Sequence, residues 1–485
     1  MRTSSDGGHV RNEEETAAAS ANNPSNKDHR LLRRFAVLGV FLLCAAMLNV
    51  VLTIVLVPYG SKSEIAWKDY AKEDEIDCII VGTSTAMRDI SPQVLDERMG
   101  AKSFNLSTPS QTLDESFVAV RTADEDHGLT RVILGIAPSQ LLRAGAPNPG
   151  SAFMFARSHV VSVPQQLEAV GYMMFEGGAI AEPVSLNMIF PWVSNKISDS
   201  VGAMIRNARM KLDGTTVYEA AEVNEAGWTY VGKGFGGYSG KLNYSSSKAQ
   251  SYFTTERTED VGVEADKAGS MDPRRQNALV DLCDYCAAHG IELYVITPPL
   301  PEYNIIEYGS DYFVLGDKTR NLVESHGGHY FDANMAKPEL YESKEAYFSD
   351  AEHLNFNGAD VFSSSLCDLM KAVEAGEDVS SLFLVGEDEY LTSVDGISCV
   401  FADTAPSASG VEVTARALAG SAVDVEYQFC LRDGDSWVEA RGWSDDPVAE
   451  LMPLGGARGP FKVRINTRQK GHKKTERFRE LWAMY

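Results

Sequence analysis

The chain has 485 residues, a hydrophobic share of 44%, and 44 basic against 68 acidic side chains, for a formal charge of −24. That length holds two or three domains, that hydrophobic share excludes a wholly disordered chain, and that charge excludes a general nucleic-acid binder. The seven cysteines, scattered from Cys44 to Cys430, exclude a disulfide scaffold and show no zinc spacing.

Residues 1–30 are polar, rich in Ser, Asn, Glu and Ala, and lack an apolar period. A disordered tail is expected there, running to the basic residues that end at Arg34. The next 23 residues, 35–57, carry no charge, and at about 1.5 Å rise each they match a bilayer core of about 30 Å. One transmembrane signal-anchor helix is the economical reading. A cleaved signal peptide is the rival, although its apolar core usually runs only about 7–15 residues. Lys27, Arg30, Arg33 and Arg34 precede the run, whereas Lys62 and Lys68 follow it beside Glu64 and Asp69. This bias puts the N-terminus in the cytoplasm and the bulk of the chain outside the cell.

From 76 to 145 strand and helix signals alternate: a strand over 76–81, a helix over 92–99, a short strand at 103–106, a helix over 112–123 and a strand over 131–136. Such alternation predicts a parallel α/β sheet with crossover helices, whose chemistry sits past the carboxyl ends of its strands. Ser84, the loop 107–110 and Pro138-Ser139 all follow such ends. Residues 150–270 break the rhythm with amphipathic runs near 163–174 and 192–210 and a Gly, Tyr and Ser rich stretch over 232–247, read as an insertion or cap over the sheet. Its Gly232-Lys-Gly-Phe-Gly-Gly237 has the look of a phosphate loop, but no strong strand leads in and no helix follows.

The α/β pattern resumes with a helix over 273–289, a strand at 291–296, a helix near 319–326, a short strand at 330–332 and a helix over 359–373, which closes an α/β domain spanning 62–378. Cys283-x-x-Cys286 shares a helical face with Leu279 and Leu282, which favours burial over redox chemistry. After a linker at 375–381, residues 390–485 change character. Alternating segments at 410–416, 423–429 and 461–465 predict a small antiparallel β-sandwich. Cys399 and Cys430 either bridge there or stay as buried thiols. Basic residues gather from Lys462 to Arg479, as a solvated edge or as a site for anionic polymer or lipid head groups.

A serine hydroxyl becomes a useful nucleophile when a base takes its proton and a carboxylate fixes the tautomer of that base. Ser84 leaves an apolar strand through Gly82, which permits a tight exit. Asp350 and His353 lie three apart in a turn-like segment, so the carboxylate can reach Nδ1 while Nε2 faces outward. Asn105, Ser107 and the backbone N–H of Ser84 are candidate donors to an oxyanion. No metal or cofactor site is read from the sequence.

Gly82-Thr83-Ser84 after the first strand, and Asp350-Ala-Glu-His353 followed by Leu354-Asn355 and Gly358 before the last helix, resemble the first and last blocks of the SGNH or GDSL-like hydrolase superfamily. The likeness covers residues 74–373, with 150–270 as its poorly matched middle. It implies a flavodoxin-like parallel sheet with helices on both faces, Ser84 as nucleophile, His353 as base and Asp350 as its orienter. Thr83 departs from the acidic residue usual there, and the block glycine and asparagine of the oxyanion hole have no confident counterpart. Anchored members that serve teichoic acid D-alanylation and alginate acetylation are similar in layout. That layout implies a serine-dependent acyltransferase or esterase acting on an envelope polysaccharide or teichoic-acid-like polymer, beside a multi-spanning membrane acyltransferase. The alternative is a catalytically inactive glycan-binding or scaffold protein, with Tyr427, Trp437 and Trp443 available to stack on sugars.

Overall fold

A computed structural model describes residues 24–142, 151–176, 190–193, 198–224, 227–246, 271–456 and 458–485. The chain divides into two units, residues 1–54 and 55–485. The helix Pro24–Leu56 contains the segment Leu31–Leu56, long and apolar enough to cross a membrane, with a mean hydropathy of 2.6 over its most apolar stretch. Residues 24–34, expected as part of the tail, are helical: once the apolar run nucleates a helix, its polar lead-in extends the same hydrogen-bond ladder. Residues 1–23 lie outside the described residues.

The second unit is built on a five-stranded parallel sheet of β1 (Cys78–Gly82), β2 (Ser103–Asn105), β3 (Arg131–Gly135), β6 (Glu292–Thr297) and β7 (His329–Asp332). Between β3 and β6 in sequence comes a hairpin, β4 (Thr229–Gly232) and β5 (Phe235–Gly237). The sheet order is β2-β1-β3-β6-β7, so the chain reverses direction between β1 and β3, the place where ligands gather in open α/β sheets. Successive side chains of each strand feed two separate cores. Ile79, Val81, Val132, Leu134 and Val295 pack with the helices Leu113–His127 and Pro273–His289. Ile80, Ile133, Tyr294 and Ile296 pack with Pro92–Met99 and Phe356–Glu374.

The inserted region contributes the helices Ser151–Ser158, Val163–Gly171, Val201–Asp213 and Val217–Asn224. Gly232-Lys-Gly-Phe-Gly-Gly237 is the tip of the β4–β5 hairpin. Lys233 and Gly234 turn it with φ of 52° and 76°, the backbone sense that two-residue hairpins require. The turn presses on the sheet edge: Asn105 N–H donates to Lys233 O at 2.9 Å, and a Cβ on Gly234 would lie 1.7 Å from Asn105 O.

The C-terminal region holds two antiparallel sheets. β8 (Ile397–Pro406), β9 (Val411–Ala419) and β12 (Val448–Leu451) form one, in the order β12-β9-β8. β10 (Val425–Asp433), β11 (Ser436–Ser444), β13 (Pro460–Gln469) and β14 (Arg477–Met484) form the other, in the order β11-β10-β13-β14. Val413, Phe429, Val463 and Ile465 fill the core between them. Ion pairs lock this region onto the α/β part: Arg477 meets Glu345 at 2.8 Å, and Arg416 grips Glu307 through both terminal nitrogens at 2.6 and 2.8 Å. Cys399 and Cys430 are free thiols, as are Cys283 and Cys286, which lie buried on one face of their helix. Burial pushes both Cys283 and Cys286 up to about 12.

Candidate functional site

β1 ends at Gly82 with φ 146°, where a Cβ would stand 2.3 Å from Gly135 O. A Cβ on Gly135 would in turn meet the Ala86 methyl at 2.5 Å. Two bare backbones thus let the six-residue helix Ser84–Asp89 sit directly over the ends of β1 and β3, with Ser84 half-buried at its first position. The second half of the site is the loop 349–354. It is closed by Ser349 N–H on His353 O at 2.9 Å and by Asn355 N–H on Tyr347 O at 2.7 Å. Asn355 then caps the helix Phe356–Glu374 by accepting Gly358 N–H at 3.0 Å, and only glycine fits at 358, since a Cβ would lie 2.4 Å from Tyr347 O.

These two segments bring Ser84, His353 and Asp350 into one relay. Ser84 Oγ lies 2.8 Å from His353 Nε2, and His353 Nδ1 lies 2.7 Å from Asp350 Oδ1. A carboxylate only accepts, so Nδ1 carries the ring proton and Nε2 is left to accept from the serine hydroxyl. Asp350 Oδ1 also receives the backbone N–H groups of Glu352 and His353 at 3.0 and 3.1 Å. Burial raises the Asp350 carboxyl, but the His353 hydrogen bond and charge, and then Arg88, outweigh it and hold the group well below the usual carboxylate range.

Arg88 is the partner that sequence reasoning missed. Its Nη1 lies 3.0 Å from Asp350 Oδ2, its Nη2 donates to Ser349 Oγ at 2.5 Å, and its guanidinium lies 4.7 Å from the centre of the Tyr238 ring, which follows β5. Four residues after Ser84, it faces the same side of the helix, and that spacing was the available signal. The next residue, Asp89, is fully buried and accepts Leu354 N–H at 2.9 Å. One short helix therefore holds the histidine loop at three points.

The three oxyanion candidates differ in what they have left to donate. Both amide hydrogens of Asn105 are committed, to Ala86 O at 2.9 Å and Ile90 O at 3.1 Å, while its Oδ1 accepts Ser107 N–H at 3.0 Å. Asn105 thus pins the Ser84 helix to β2. The hydroxyl of Ser107 is fully buried and has no hydrogen-bond partner among the described residues, so it retains a proton to give. Ser84 N–H, at the first helical position, has no acceptor within its helix. Ser110 in the same loop has φ 59°, a backbone sense that glycine adopts more readily.

Among the described residues no group of three or more His, Cys, Asp or Glu side chains is placed to hold a metal ion. Chemically, the arrangement can remove the Ser84 proton to His353 and keep the resulting imidazolium beside an ionised carboxylate. A scan against protein-family models and a search of curated proteins each return no match, so the geometry of this relay carries the functional reading.

Proposed function

We propose that this chain is a membrane-anchored, extracytoplasmic serine esterase or O-acyltransferase of the SGNH kind. The observation that carries this reading is the Ser84–His353–Asp350 relay at the switch point of a parallel sheet. Ser84 Oγ attacks an acyl ester carbonyl as its proton passes to His353 Nε2. The ester oxygen takes that proton as it leaves, and the acyl-serine is resolved by water or by a sugar hydroxyl. The strand order supports a flavodoxin-like sheet, and the apolar N-terminal helix supports work at a cell envelope, on a polysaccharide or teichoic-acid-like polymer beside a multi-spanning acyltransferase. The basic residues before the helix support a cytoplasmic N-terminus.

The commitment of both Asn105 amide hydrogens favours a second reading, a non-catalytic glycan-binding descendant. One missing oxyanion donor costs about 3–4 kcal/mol of transition-state stabilisation. A fluorophosphonate probe applied to the full chain in detergent separates the two. The esterase reading expects labelling that disappears in both Ser84→Ala and His353→Ala. A folded wild type that neither labels nor cleaves any acyl ester is the binding protein.

A further inference from the structure

The helix Val201–Asp213 is amphipathic the wrong way round for a core helix. Its inner face, Asn207 and Met210, is buried, whereas Val201, Ile205 and Leu212 are 70%, 59% and 74% exposed. With the half-buried Ala208 these residues fall at i, i+4, i+7 and i+11, a continuous apolar stripe on the outside. Two basic side chains, Arg206 and Arg209, flank the stripe in a protein of strongly negative charge.

The position of this helix is fixed by the first residues after the apolar segment. Lys211 Nζ donates to Val57 O at 2.6 Å, Tyr59 N–H donates to Asn207 Oδ1 at 3.2 Å, and Tyr59 OH donates to Thr215 O at 2.9 Å. Ser198 N–H, just before the helix, donates to Leu56 O at 2.9 Å. Asn207 also donates to Ser198 Oγ at 3.3 Å, which knits the two contact points together. Where Leu56 leaves a membrane, a helix tied to residues 56–59 sits at that membrane's surface.

Resting on the reading of Leu31–Leu56 as a membrane span, we propose that the helix Val201–Asp213 lies in the bilayer surface as a second attachment, its stripe among the acyl chain ends and its basic flank on anionic head groups. An exposed apolar stripe with basic flanks is the pattern by which interfacial helices bind lipid, and here the chain itself delivers the helix to the interface. The second contact would hold the rest of the molecule against swinging about residues 57–60.

The test uses the full chain with Cys44→Ser, carrying a single environment-sensitive fluorophore at Val201→Cys, Ile205→Cys or Leu212→Cys. Leu42→Cys serves as a control in the span and Ser436→Cys as a control in the turn between β10 and β11. Each variant is placed in phosphatidylcholine–phosphatidylglycerol vesicles with doxyl quenchers at shallow or deep acyl positions. The expected result is blue-shifted emission and loss of most fluorescence to the shallow quencher at 201, 205 and 212, deep quenching at 42, and neither at 436. Adding Arg206→Glu and Arg209→Glu should reduce the shallow quenching in these vesicles and leave it unchanged in phosphatidylcholine alone. Quenching at 42 with water-like emission at 201, 205 and 212 overturns the proposal and leaves the span intact, whereas water-like emission at 42 overturns the span and the proposal with it.

Discussion

Arg88 changes what the aspartate of the relay can do. A buried carboxylate facing a histidine alone must bear its own desolvation; here a guanidinium, itself nearly buried, neutralises the far oxygen. Because the folded carboxyl titrates below its unfolded value, its contribution is present above about pH 4 and is lost as the pH falls through the folded value. Arg88→Gln removes one of the groups holding Asp350 low. Acid unfolding, followed as loss of the far-UV signal against pH, should therefore begin at a higher pH than in the wild type. Asp89 behaves in the opposite way. Full burial foremost, with Asp350 and Glu352 adding to it, raises its carboxyl well above the ordinary value against the pull of Leu354 N–H and Arg88. A raised carboxyl favours the folded state below about pH 4, and that contribution is lost as the pH rises through the folded value. Asp89→Asn keeps an acceptor for Leu354 N–H and does not ionise. Its melting temperature should gain on the wild type as the pH rises above about 4, and a gap that stays constant with pH would contradict this account.

The helix Ser84–Asp89 owes its place to the glycines beneath it. Gly135→Ala puts a methyl 2.5 Å from the Ala86 Cβ and 3.3 Å from its Cα, atoms that move only with the helix. The expected outcome is a loss of about 100-fold in Ser84 labelling with the far-UV spectrum unchanged, since a displacement near 1 Å suffices for that. The sheet strands were legible because their apolar runs are short, β-branched and bounded by turns, and the helices Pro92–Met99 and Pro273–His289 start and stop where their Pro and Gly residues say. The relay was legible too, because Gly-x-Ser after a strand and Asp-x-x-His before a helix are local patterns. What stayed hidden was non-local. The helix Ser84–Asp89 is too short for a period, and the amide of Asn105 looked free until the carbonyls of Ala86 and Ile90 were brought to it. The glycine-rich stretch at 232–237 resembled a loop because its turn residues outnumber its strand residues. β8 was missed as its apolar start, Ile397 to Val400, faces the α/β part as well as the sandwich core.

At the scale of the whole molecule, the sandwich is held to the α/β part by side chains of unequal weight. Arg477 is three-quarters buried, pairs with Glu345, donates to Ile397 O at 3.0 Å and lies over Tyr244, so Arg477→Ala should cost about 2–3 kcal/mol in denaturant unfolding. Arg416, more than half exposed, should cost under about 1 kcal/mol when replaced by alanine despite its two short contacts with Glu307. Costs under about 1 kcal/mol at both positions would mean that the junction depends on its apolar contacts. Cys78, Cys283, Cys286, Cys367, Cys399 and Cys430 are all buried and unbridged, and only an ionised thiol exchanges or oxidises readily. On the proposed extracytoplasmic side of a membrane, such a molecule relies on staying shut instead of on covalent staples. Each transient opening exposes sulfur that the surroundings can trap, so the folded lifetime of this protein in an oxidising medium is set by how rarely its cores open.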